Sequence, residues 1–548
     1  MSFTPPTPPV NQASPTMPAE PWSPDEPAPA HLSAPSSSGP AAGQDEAHIA
    51  RQTARGMAWL MAQTLGYKVI SLFGTIYLTK LITPEHLGQM TLALGVAAFT
   101  NFLQQPGLRE VLVQRRTRVR GWDHPAFSLS VVLGLAATAL TAAAAPASLR
   151  WWHSDVVLHL LLILSVAAPF FGLAIVPEAK LQCELRFRGL AIIEFARGTG
   201  LLLTQIALAF WMKHAGHTDW GAYALAAPVP VFAALRCGAM WWAARPRVRW
   251  TPRVQLWRLL GADSAKLFLS SLLGLCISQG AIFALGFYAT EDVVGLYSFA
   301  FNLSLITAVM LTQNIAAVIF PVLSTMQDDP ARLRRTFLSS GRMLNLIAVP
   351  ACFLQGALAE PFIATVCNPK WAGSIPVMQV LSIAMAFVVI WPSSKSLMQA
   401  RGRFGLALFM HALHATLYVA AVWLTARATG GHGVAVAWAV TGVYVFIGLA
   451  DPYVAVRTLD AHTPGEHGPL RDVMGLFAVP MVVGLVGVAG VYAALVQVPY
   501  LRTHLVAQGA AVILCSGAAC LGLYRVLAPR EFARGLEMAR SMKARLKV

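Results

Sequence analysis

Long apolar stretches follow one another along most of the chain, and short polar connectors separate them. About fourteen such stretches run from Met57 to Leu527, and a helix needs roughly 20 apolar residues to cross the hydrocarbon core of a bilayer. Phe127 to Ala147 and Val473 to Leu495 have that length and almost no charge. Buried helices of soluble domains are usually shorter, so the pattern predicts an all-α polytopic membrane protein with about 14 transmembrane helices.

Positive charge alternates between the connectors. Those after the second, fourth, sixth and eighth stretches are rich in basic residues, at Arg109 to Arg120, Lys180 to Arg188, Arg245 to Arg258 and Arg332 to Arg342. The connectors between them carry few basic residues. Because short cytoplasmic loops are enriched in Lys and Arg, the pattern predicts that both chain ends lie in the cytoplasm and that the number of helices is even.

The composition agrees with a membrane protein and excludes a soluble enzyme. Hydrophobic residues make up 56% of the chain, charged residues make up 12%, and the mean hydropathy is +0.57. The net charge of +16 would also suit nucleic-acid binding. However, the cations lie next to the apolar stretches, where each contributes about 1 kcal/mol of attraction to anionic lipid headgroups. The expected partner is therefore the lipid bilayer and no nucleic acid.

The two ends of the chain differ from the apolar region between them. Residues 1–50 are rich in Pro, Ser and Ala, and we expect a disordered cytoplasmic tail because they bury too little apolar surface to fold. Residues 528–548 are basic, and their apolar side chains recur on one helical face. This pattern predicts an amphipathic cytoplasmic helix on the inner leaflet, with a solvated tail as the alternative. No secretory signal peptide is evident, so the first apolar stretch is expected to direct insertion.

Two connectors resemble each other and predict an internal repeat. Thr83 to Ala93 leads into the second stretch and Thr290 to Ala300 into the eighth, and both contain Thr, an acid, Gly and Ala in register. Six helices separate the copies, so both enter the membrane from the same side, which is typical of a parallel repeat. The alternative is chance recurrence of a Thr-acid helix start. The repeat predicts two six-helix lobes, residues 54–244 and 259–456, followed by two helices in residues 473–527.

Several short motifs together resemble a known family of membrane transporters. They are Leu81 to Gly88, Phe320 to Ser324, Asn368 to Trp371, Ile375 to Leu381 and Gln399 to Arg403. In combination they resemble the polysaccharide-transport family of bacterial oligosaccharide flippases, the Wzx-type flippases. That family belongs to a superfamily that also contains the multidrug exporters of the MATE type and the lipid II flippases.

The resemblance implies a fold, a substrate and a location. It implies two six-helix lobes around a central cavity, often followed by two more helices. It also implies transport of undecaprenyl-diphosphate-linked oligosaccharide from the cytoplasmic to the periplasmic leaflet of the bacterial inner membrane, for exopolysaccharide, capsule or lipopolysaccharide O-antigen. A polysaccharide polymerase and glycosyltransferases would be partners in the pathway. A MATE-like multidrug exporter and a lipid II flippase are the alternatives.

Lys68 is the clearest candidate for substrate binding. It lies near the middle of the first stretch, where a charge costs about 2.5–3.5 kcal/mol and needs a cavity, a partner or a route to the surface. Thr64, Ser71, Thr75 and Thr79 lie at helical spacing from it, so one face of the helix is polar. We expect this face to contact water or the second lobe. The alternative is that neighbouring carbonyl groups satisfy Lys68.

Four charged residues and one amide complete the predicted substrate-binding set. Glu194 and Arg197 share a face of the fifth helix. They form either an internal ion pair or a diphosphate site in which Glu194 orients the guanidinium. Arg236 and Lys395 lie near predicted cytoplasmic helix ends, where we expect their long side chains to reach the membrane surface, with substrate binding as the alternative. Gln105 is a candidate for binding sugar hydroxyls, although hydrogen bonds between helices are the commoner use of such residues.

The charges inside the first two apolar stretches are positive, and this helps to distinguish between the alternative functions. An exporter of cationic drugs is expected to place Asp or Glu deep in the first lobe, yet the first two stretches contain no acid. A cationic cavity suits an anionic diphosphate lipid better, although a lipid II flippase would share it. No metal-binding spacing, phosphate loop or catalytic carboxylate stands out. We therefore expect a transporter that is not an enzyme and that needs no cofactor.

Overall fold

The computed structural model describes residues 59, 61–102, 104, 119–252, 254–324, 326, 329–460, 468–529 and 533. These residues form long helices, and no strand occurs within those ranges. The expectations for residues 1–50 and for nearly all of residues 528–548 lie outside the described residues, as does Gln105.

Fourteen long helices follow one another in the described residues. They are α1 (residues 61–78), α2 (Pro84–Phe102), α3 (Val119–Trp152), α4 (Asp155–Cys183), α5 (Phe187–His214), α6 (Thr218–Ala244), α7 (Val254–Tyr288), α8 (Glu291–Ser324), α9 (Pro330–Ala357), α10 (Ser374–Ala400), α11 (Phe404–Thr429), α12 (Gly433–Asp460), α13 (Pro469–Val496) and α14 (Leu505–Leu527). Twelve of them, α3 to α14, contain a segment long and apolar enough to cross a membrane. The all-α membrane fold is thus confirmed, and with α1 and α2 in front of these the helix number is roughly consistent with the predicted 14.

The helices begin and end at residue types that commonly occupy helix ends. The Asp329 carboxylate caps α9 by accepting a hydrogen bond of 2.9 Å from the backbone N–H of Arg332, and Pro330 stands at the first helical position. Gly430 ends α11 in a left-handed conformation with φ of 63°, which glycine adopts without strain. Such sharp ends keep the connectors short, so consecutive helices lie next to each other.

Large apolar side chains cover the outside of the helix bundle as well as its interior. Trp242, Leu514 and Val526 are 75%, 73% and 77% exposed. A soluble protein avoids large apolar patches on its surface, whereas the hydrocarbon core of a bilayer solvates them. The outer surface therefore fits a chain that is surrounded by lipid.

A buried ion pair fastens α13 to α9. Arg334 Nη2 lies 2.7 Å from Asp472 Oδ2, and Arg334 Nε donates to the same oxygen at 2.8 Å. Farther along these helices, Asn345 Nδ2 donates to the carbonyl oxygen of Leu476 at 3.1 Å. Because both charged side chains are buried, loss of Arg334 would leave the Asp472 carboxylate in the interior without this cation. The last two helices are thus tied to the second half of the chain.

The two similar segments of the sequence form the starts of α2 and α8, and these two helices pack directly against each other. Gly88 of α2 and Gly295 of α8 lie at the point of closest approach. Beside them, Gln89 Nε2 donates to Glu291 Oε2 at 2.7 Å. We call these four residues the α2–α8 crossing. It joins the first half of the chain to the second.

Candidate substrate site

A cavity lined by both polar and apolar side chains lies between α1, α2 and α8. Its volume is about 280 Å³. A second space of about 220 Å³ adjoins it and extends towards α5 and α6. The two spaces share Ser71, Thr75, Leu87 and Phe299 as lining residues, and together we call them the α1–α8 cavity.

Lys68 lines the α1–α8 cavity among hydroxyl and amide groups. Ser71 and Thr75 of α1 and Asn302 of α8 line it too, and Thr79 lines the adjoining space. Among the residues that the structure describes, no acidic side chain lines either space. The polar face of α1 therefore points towards the second half of the chain, as its spacing predicted. Substrate binding by Lys68 stays a prediction.

Glycines let α1 lie close to α5 and so set the direction of Lys68. The Tyr67 ring packs on Gly198, where a Cβ atom would lie 2.5 Å from ring atom Cε2. Leu202 packs on Gly74 in the same way, with no room for a Cβ atom. Successive side chains of a helix point about 100° apart. Because Tyr67 faces α5, Lys68 can face the cavity.

A group of four charged side chains links α4, α5 and α6. Arg197 Nε donates to Glu194 Oε2 at 3.0 Å, in agreement with the ion-pair interpretation of their spacing. Arg236 Nε donates to Glu194 Oε1 at 2.5 Å, and Arg236 Nη2 donates to Glu178 Oε2 at 2.8 Å. We call these four residues the α4–α6 network. Two acids balance two cations in it, so it carries no net formal charge.

The expectation that Arg236 reaches the membrane surface is wrong. Its side chain is only 13% exposed, because Glu178 and Glu194 hold it between the helices. The sequence interpretation missed Glu178 as a partner. A signal was present, since an acid inside an apolar stretch is as costly as a base and equally calls for a partner.

Of the two remaining predicted site residues, the structure describes only Lys395. Lys395 is exposed on α10 and does not line the cavity. Gln105 is not among the described residues. Its neighbour Gln104 is buried and donates from Nε2 to Asn101 Oδ1 at 2.9 Å, which is an interaction within one helix end. The structure therefore brings Lys68 to the cavity and collects Glu194, Arg197 and Arg236 into a separate network.

A contact between the two halves of the chain lies beside the cavity. Trp371, in the connector between α9 and α10, is fully buried and donates from its indole Nε1 to the carbonyl oxygen of Thr79 at 3.0 Å. Both residues line the adjoining space. Thr79 follows the last turn of α1, and the α2–α8 crossing begins nine residues later, at Gly88. Contacts between the two halves therefore hold this side of the cavity together.

Two titratable side chains that the sequence interpretation did not place in the substrate site are buried in the second half. Asp451 of α12 is 3% exposed and His414 of α11 is fully buried. The sequence signal for Asp451 is the occurrence of an acid, followed by Pro452, inside an apolar stretch. Neither residue lines the α1–α8 cavity.

The fold and the outer apolar surface are those of an all-helical, multi-pass membrane protein. The chain belongs to the polysaccharide biosynthesis protein family, whose model matches residues 77–376. This result confirms the family resemblance that the short motifs indicated.

Curated bacterial proteins similar to this chain come from polysaccharide biosynthesis. Teichuronic acid biosynthesis protein TuaB of Bacillus subtilis is 22% identical over 410 residues, which cover 74% of this chain and 81% of that protein. Lipopolysaccharide biosynthesis protein WzxC of Escherichia coli is 22% identical over 397 residues, covering 70% and 77%. Succinoglycan biosynthesis transport protein ExoT of Rhizobium meliloti is 22% identical over 336 residues, covering 61% and 66%.

Solved structures of two transporters share the fold. Lipid II flippase MurJ in an inward closed conformation matches with a TM-score of 0.66 at 13% identity, covering 85% of this chain and 99% of that one. An inward-facing multidrug resistance transporter of the MATE family matches with a TM-score of 0.57 at 18% identity, covering 75% and 99%. Identities this low establish the common fold and leave the substrate to be argued from the site.

Proposed function

We propose that this protein moves an oligosaccharide linked to undecaprenyl diphosphate from the cytoplasmic to the periplasmic leaflet of the bacterial inner membrane. The family and the relatives named for teichuronic acid, lipopolysaccharide and succinoglycan support a role in making surface polysaccharide. The many apolar helices support a path across a bilayer. In this proposal the protein is a transporter and not an enzyme, and the polymerase and glycosyltransferases of the pathway act before and after it.

The observation that carries the proposal is the chemistry of the α1–α8 cavity. Lys68 is the charged residue among its described lining residues, and Ser71, Thr75 and Asn302 accompany it. An ammonium group with hydroxyl donors suits phosphate oxygens, which accept strong charge-assisted hydrogen bonds away from bulk water. In the proposed complex Lys68 binds the diphosphate, while the hydroxyl and amide groups bind the sugar next to it.

The α4–α6 network supplies a second phosphate contact in this proposal. Arg197 is its most exposed cation, with 33% of its side chain accessible. Glu194 accepts from Arg197 Nε and so leaves the outer N–H groups of the guanidinium to a phosphate. Arg236 has the supporting role of holding Glu194 in place. Lys395 and Gln105 stay predicted substrate contacts without support from the cavity lining.

Alternating access is the proposed mechanism. Residues 54–244 and 259–456 act as two lobes that rock about the repeat axis, as in other transporters with internal repeats. The last two helices, within residues 473–527, move with the second lobe because Asp472 at the start of α13 is bonded to Arg334 of α9. The headgroup occupies the cavity between the lobes while the lipid tail stays in the bilayer.

The orientation follows from the distribution of positive charge. Placing the basic connectors in the cytoplasm puts both chain ends there. It also puts the α2–α8 crossing and the contact between Trp371 and Thr79 at the periplasmic end. In this orientation the described conformation is closed towards the periplasm, and transport requires these contacts to separate.

The two alternative functions explain the site less well. An exporter of cationic drugs would need an acid in the cavity, and the described lining residues include none. A lipid II flippase shares the fold and the chemistry of a diphosphate lipid. The relatives that cover most of this chain are named for polysaccharides outside that pathway, and they favour the oligosaccharide lipid.

Deletion of the gene tests the proposed function. The deletion strain should lose its surface polysaccharide and should accumulate lipid-linked oligosaccharide that a glycosidase added outside the cells cannot reach. The full-length gene supplied on a plasmid should restore both properties. Cell lysis with accumulation of lipid II would favour the lipid II flippase, and drug sensitivity with normal polysaccharide would favour the exporter. Either result would overturn the proposal.

A further inference from the structure

Asp451 and His414 form a buried polar site in the second half of the protein, apart from the α1–α8 cavity. Neither ring nitrogen of His414 has a hydrogen-bond partner, and Asp451 Oδ1 has none. Their exposures are 0% and 3%. Buried polar atoms without partners are uncommon because each costs about 1–3 kcal/mol. Two such groups beside the same neighbouring residue indicate a binding site whose ligand would satisfy their hydrogen-bonding atoms.

Trp391 of α10 joins the two groups. Its ring centre lies 4.2 Å from the ring centre of His414. Its indole N–H is hydrogen-bonded to the Asp451 side chain. The rings of Tyr444 and Tyr418 lie 5.6 and 6.1 Å from the His414 ring and cover it on further sides. The site is therefore compact and shielded from lipid and from bulk water.

The site lies beside a break in α10 and beside a proline inside α12. Helix α10 breaks after Val388, and its second segment begins with Trp391 and Pro392. In α12, Asp451 is followed by Pro452. A proline inside a helix removes a backbone hydrogen bond and bends the helix. A change of charge on the Asp451 or His414 side chain would thus act at the bending points of both helices.

The chemistry of the site favours a proton over a metal ion. In the part of the chain that the structure describes, no three His, Cys, Asp or Glu side chains are placed to hold a metal ion. Hard cations such as Ca²⁺ need about six to eight oxygen ligands, and Asp451 offers one unpaired carboxylate oxygen. A proton needs only one carboxylate oxygen or one imidazole nitrogen.

Titratable groups from every packed helix surround the site. They are Tyr297 on α8, Lys395 on α10, His411 and Tyr418 on α11, and Tyr444 on α12. Lys395 is exposed and acts electrostatically on both His411 and Asp451, and His411 acts in turn on His414. Lys395 is thus an exposed charged group that acts on the buried site.

We propose that Asp451 and His414 form a proton-binding site whose occupation is coupled to transport through the α1–α8 cavity. The coupling rests on the proposed function, whereas the proton binding does not. A proton from water on one side binds Asp451 Oδ1 or a His414 ring nitrogen and returns to water on the other side. Only that O–H or N–H bond forms and breaks, and nothing is oxidised or reduced. The proton gradient across the membrane then drives the cycle, because the proton biases the bends of α10 and α12.

Proton binding is tested by titration of purified full-length protein in unbuffered solution between about pH 5 and about pH 8. Wild-type protein should take up about one proton more than the double variant Asp451→Asn, His414→Gln. Asp451→Glu should restore the uptake. Asp219→Asn is the matched control, because Asp219 is exposed to solvent and lies outside the buried site. Identical curves for wild type and the double variant, both shown to be folded by thermal melting, would overturn the site.

Coupling is tested in the deletion strain. Asp451→Asn should lower surface polysaccharide about tenfold at normal protein abundance, and collapse of the pH gradient should lower wild-type export similarly. Wild-type amounts of polysaccharide from Asp451→Asn would overturn the coupling. If the deletion strain itself kept its polysaccharide, the proposed function would fail. The titration would then still decide whether Asp451 and His414 bind a proton.

Discussion

Gly88 and Gly295 occupy equivalent places in the two repeated segments, and each lies against the backbone of the other's segment. A Cβ atom on Gly88 would overlap the carbonyl oxygen of Glu291 and lie 3.0 Å from the Gly295 nitrogen. A Cβ atom on Gly295 would overlap the carbonyl oxygen of Pro84 and lie 3.0 Å from the Gly88 nitrogen. Reciprocal contacts of this kind are typical of two copies related by a two-fold axis. They support the repeat over a chance recurrence of a helix start.

The close backbone contacts of Gly88 and Gly295 predict that a side chain added at either position disturbs the crossing. Gly88→Ala and Gly295→Ala should each lower protein abundance or transport, because a methyl group there meets rigid backbone. Overpacking costs about 1–3 kcal/mol even where side chains can move aside. Gly238→Ala in α6 is the matched control, since a Cβ atom there meets nothing within 4 Å. Surface polysaccharide and the amount of membrane protein would be measured together. Wild-type behaviour of both crossing variants would show that the helices separate more easily than the structure indicates.

Lys68 provides the most direct test of the substrate site. Lys68→Ala should reduce surface polysaccharide about tenfold or more at normal abundance, because a hydrogen bond to a charged group contributes about 1.5–3 kcal/mol. Lys68→Arg should keep much of the activity, since it preserves the positive charge. Lys80→Ala, at an exposed lysine of the connector between α1 and α2, is the control and should behave as wild type. Full export by Lys68→Ala would remove Lys68 from the site.

Helical spacing in the sequence predicted contacts within a helix or on one face of it. The polar face of α1, with Lys68, Ser71 and Thr75, could be predicted because spacing alone decides which residues share a face. The pair of Glu194 and Arg197 followed from the same rule. These predictions need no knowledge of how the helices are arranged.

Contacts between helices could not be predicted in the same way. Arg236 was expected at the surface, yet it is held by Glu178 of α4 and Glu194 of α5. That contact depends on which helix faces lie opposite each other, and a single sequence does not contain this information. The similar segments around Gly88 and Gly295 were recognised as copies, but their mutual contact became visible only in the folded chain.

The hydrogen bonds of the α4–α6 network predict that substitution of Glu194 lowers the stability of the protein more than substitution of an exposed acid. Glu194 bonds both arginines, so Glu194→Gln should leave two cations against the single acid Glu178 in this network and lower the thermal stability and abundance of the protein. The expected cost is about 1–3 kcal/mol, below the value for fully buried pairs because Arg197 is one-third exposed. Glu184→Gln is the control, since its pairs with Lys180 and Arg186 are exposed. An Arg197→Gln change added to Glu194→Gln should recover part of the loss, and equal stability of all these variants would contradict a structural network.

The proposed topology can be tested by cysteine labelling in a background without the native cysteines. Cysteines replacing Asp219 and Lys370 should react with a membrane-impermeant thiol reagent added outside. Cysteines replacing Arg247 and Arg335 should react only after the membrane is opened. All four positions are exposed, so burial cannot hide them, whereas Arg334 is buried and would be a misleading choice. Labelling of the Arg247 position from outside would reverse the orientation and place the crossing in the cytoplasm.

The α2–α8 crossing allows a reversible test of alternating access. Gln89 Nε2 and Glu291 Oε2 are 2.7 Å apart, so the double variant Gln89→Cys, Glu291→Cys brings two thiols to facing positions. A disulfide or a short bifunctional thiol reagent should join the helices, because disulfide formation needs Cα atoms about 4.4–6.8 Å apart and a short reagent spans slightly more. If the two halves must separate at this point, cross-linking should stop polysaccharide export. Cleavage of a disulfide with a reductant should restore export.

Each single cysteine variant treated in the same way should keep its activity. Export at the wild-type rate by fully cross-linked protein would show that this contact stays closed throughout the cycle, and alternating access would then require another gate.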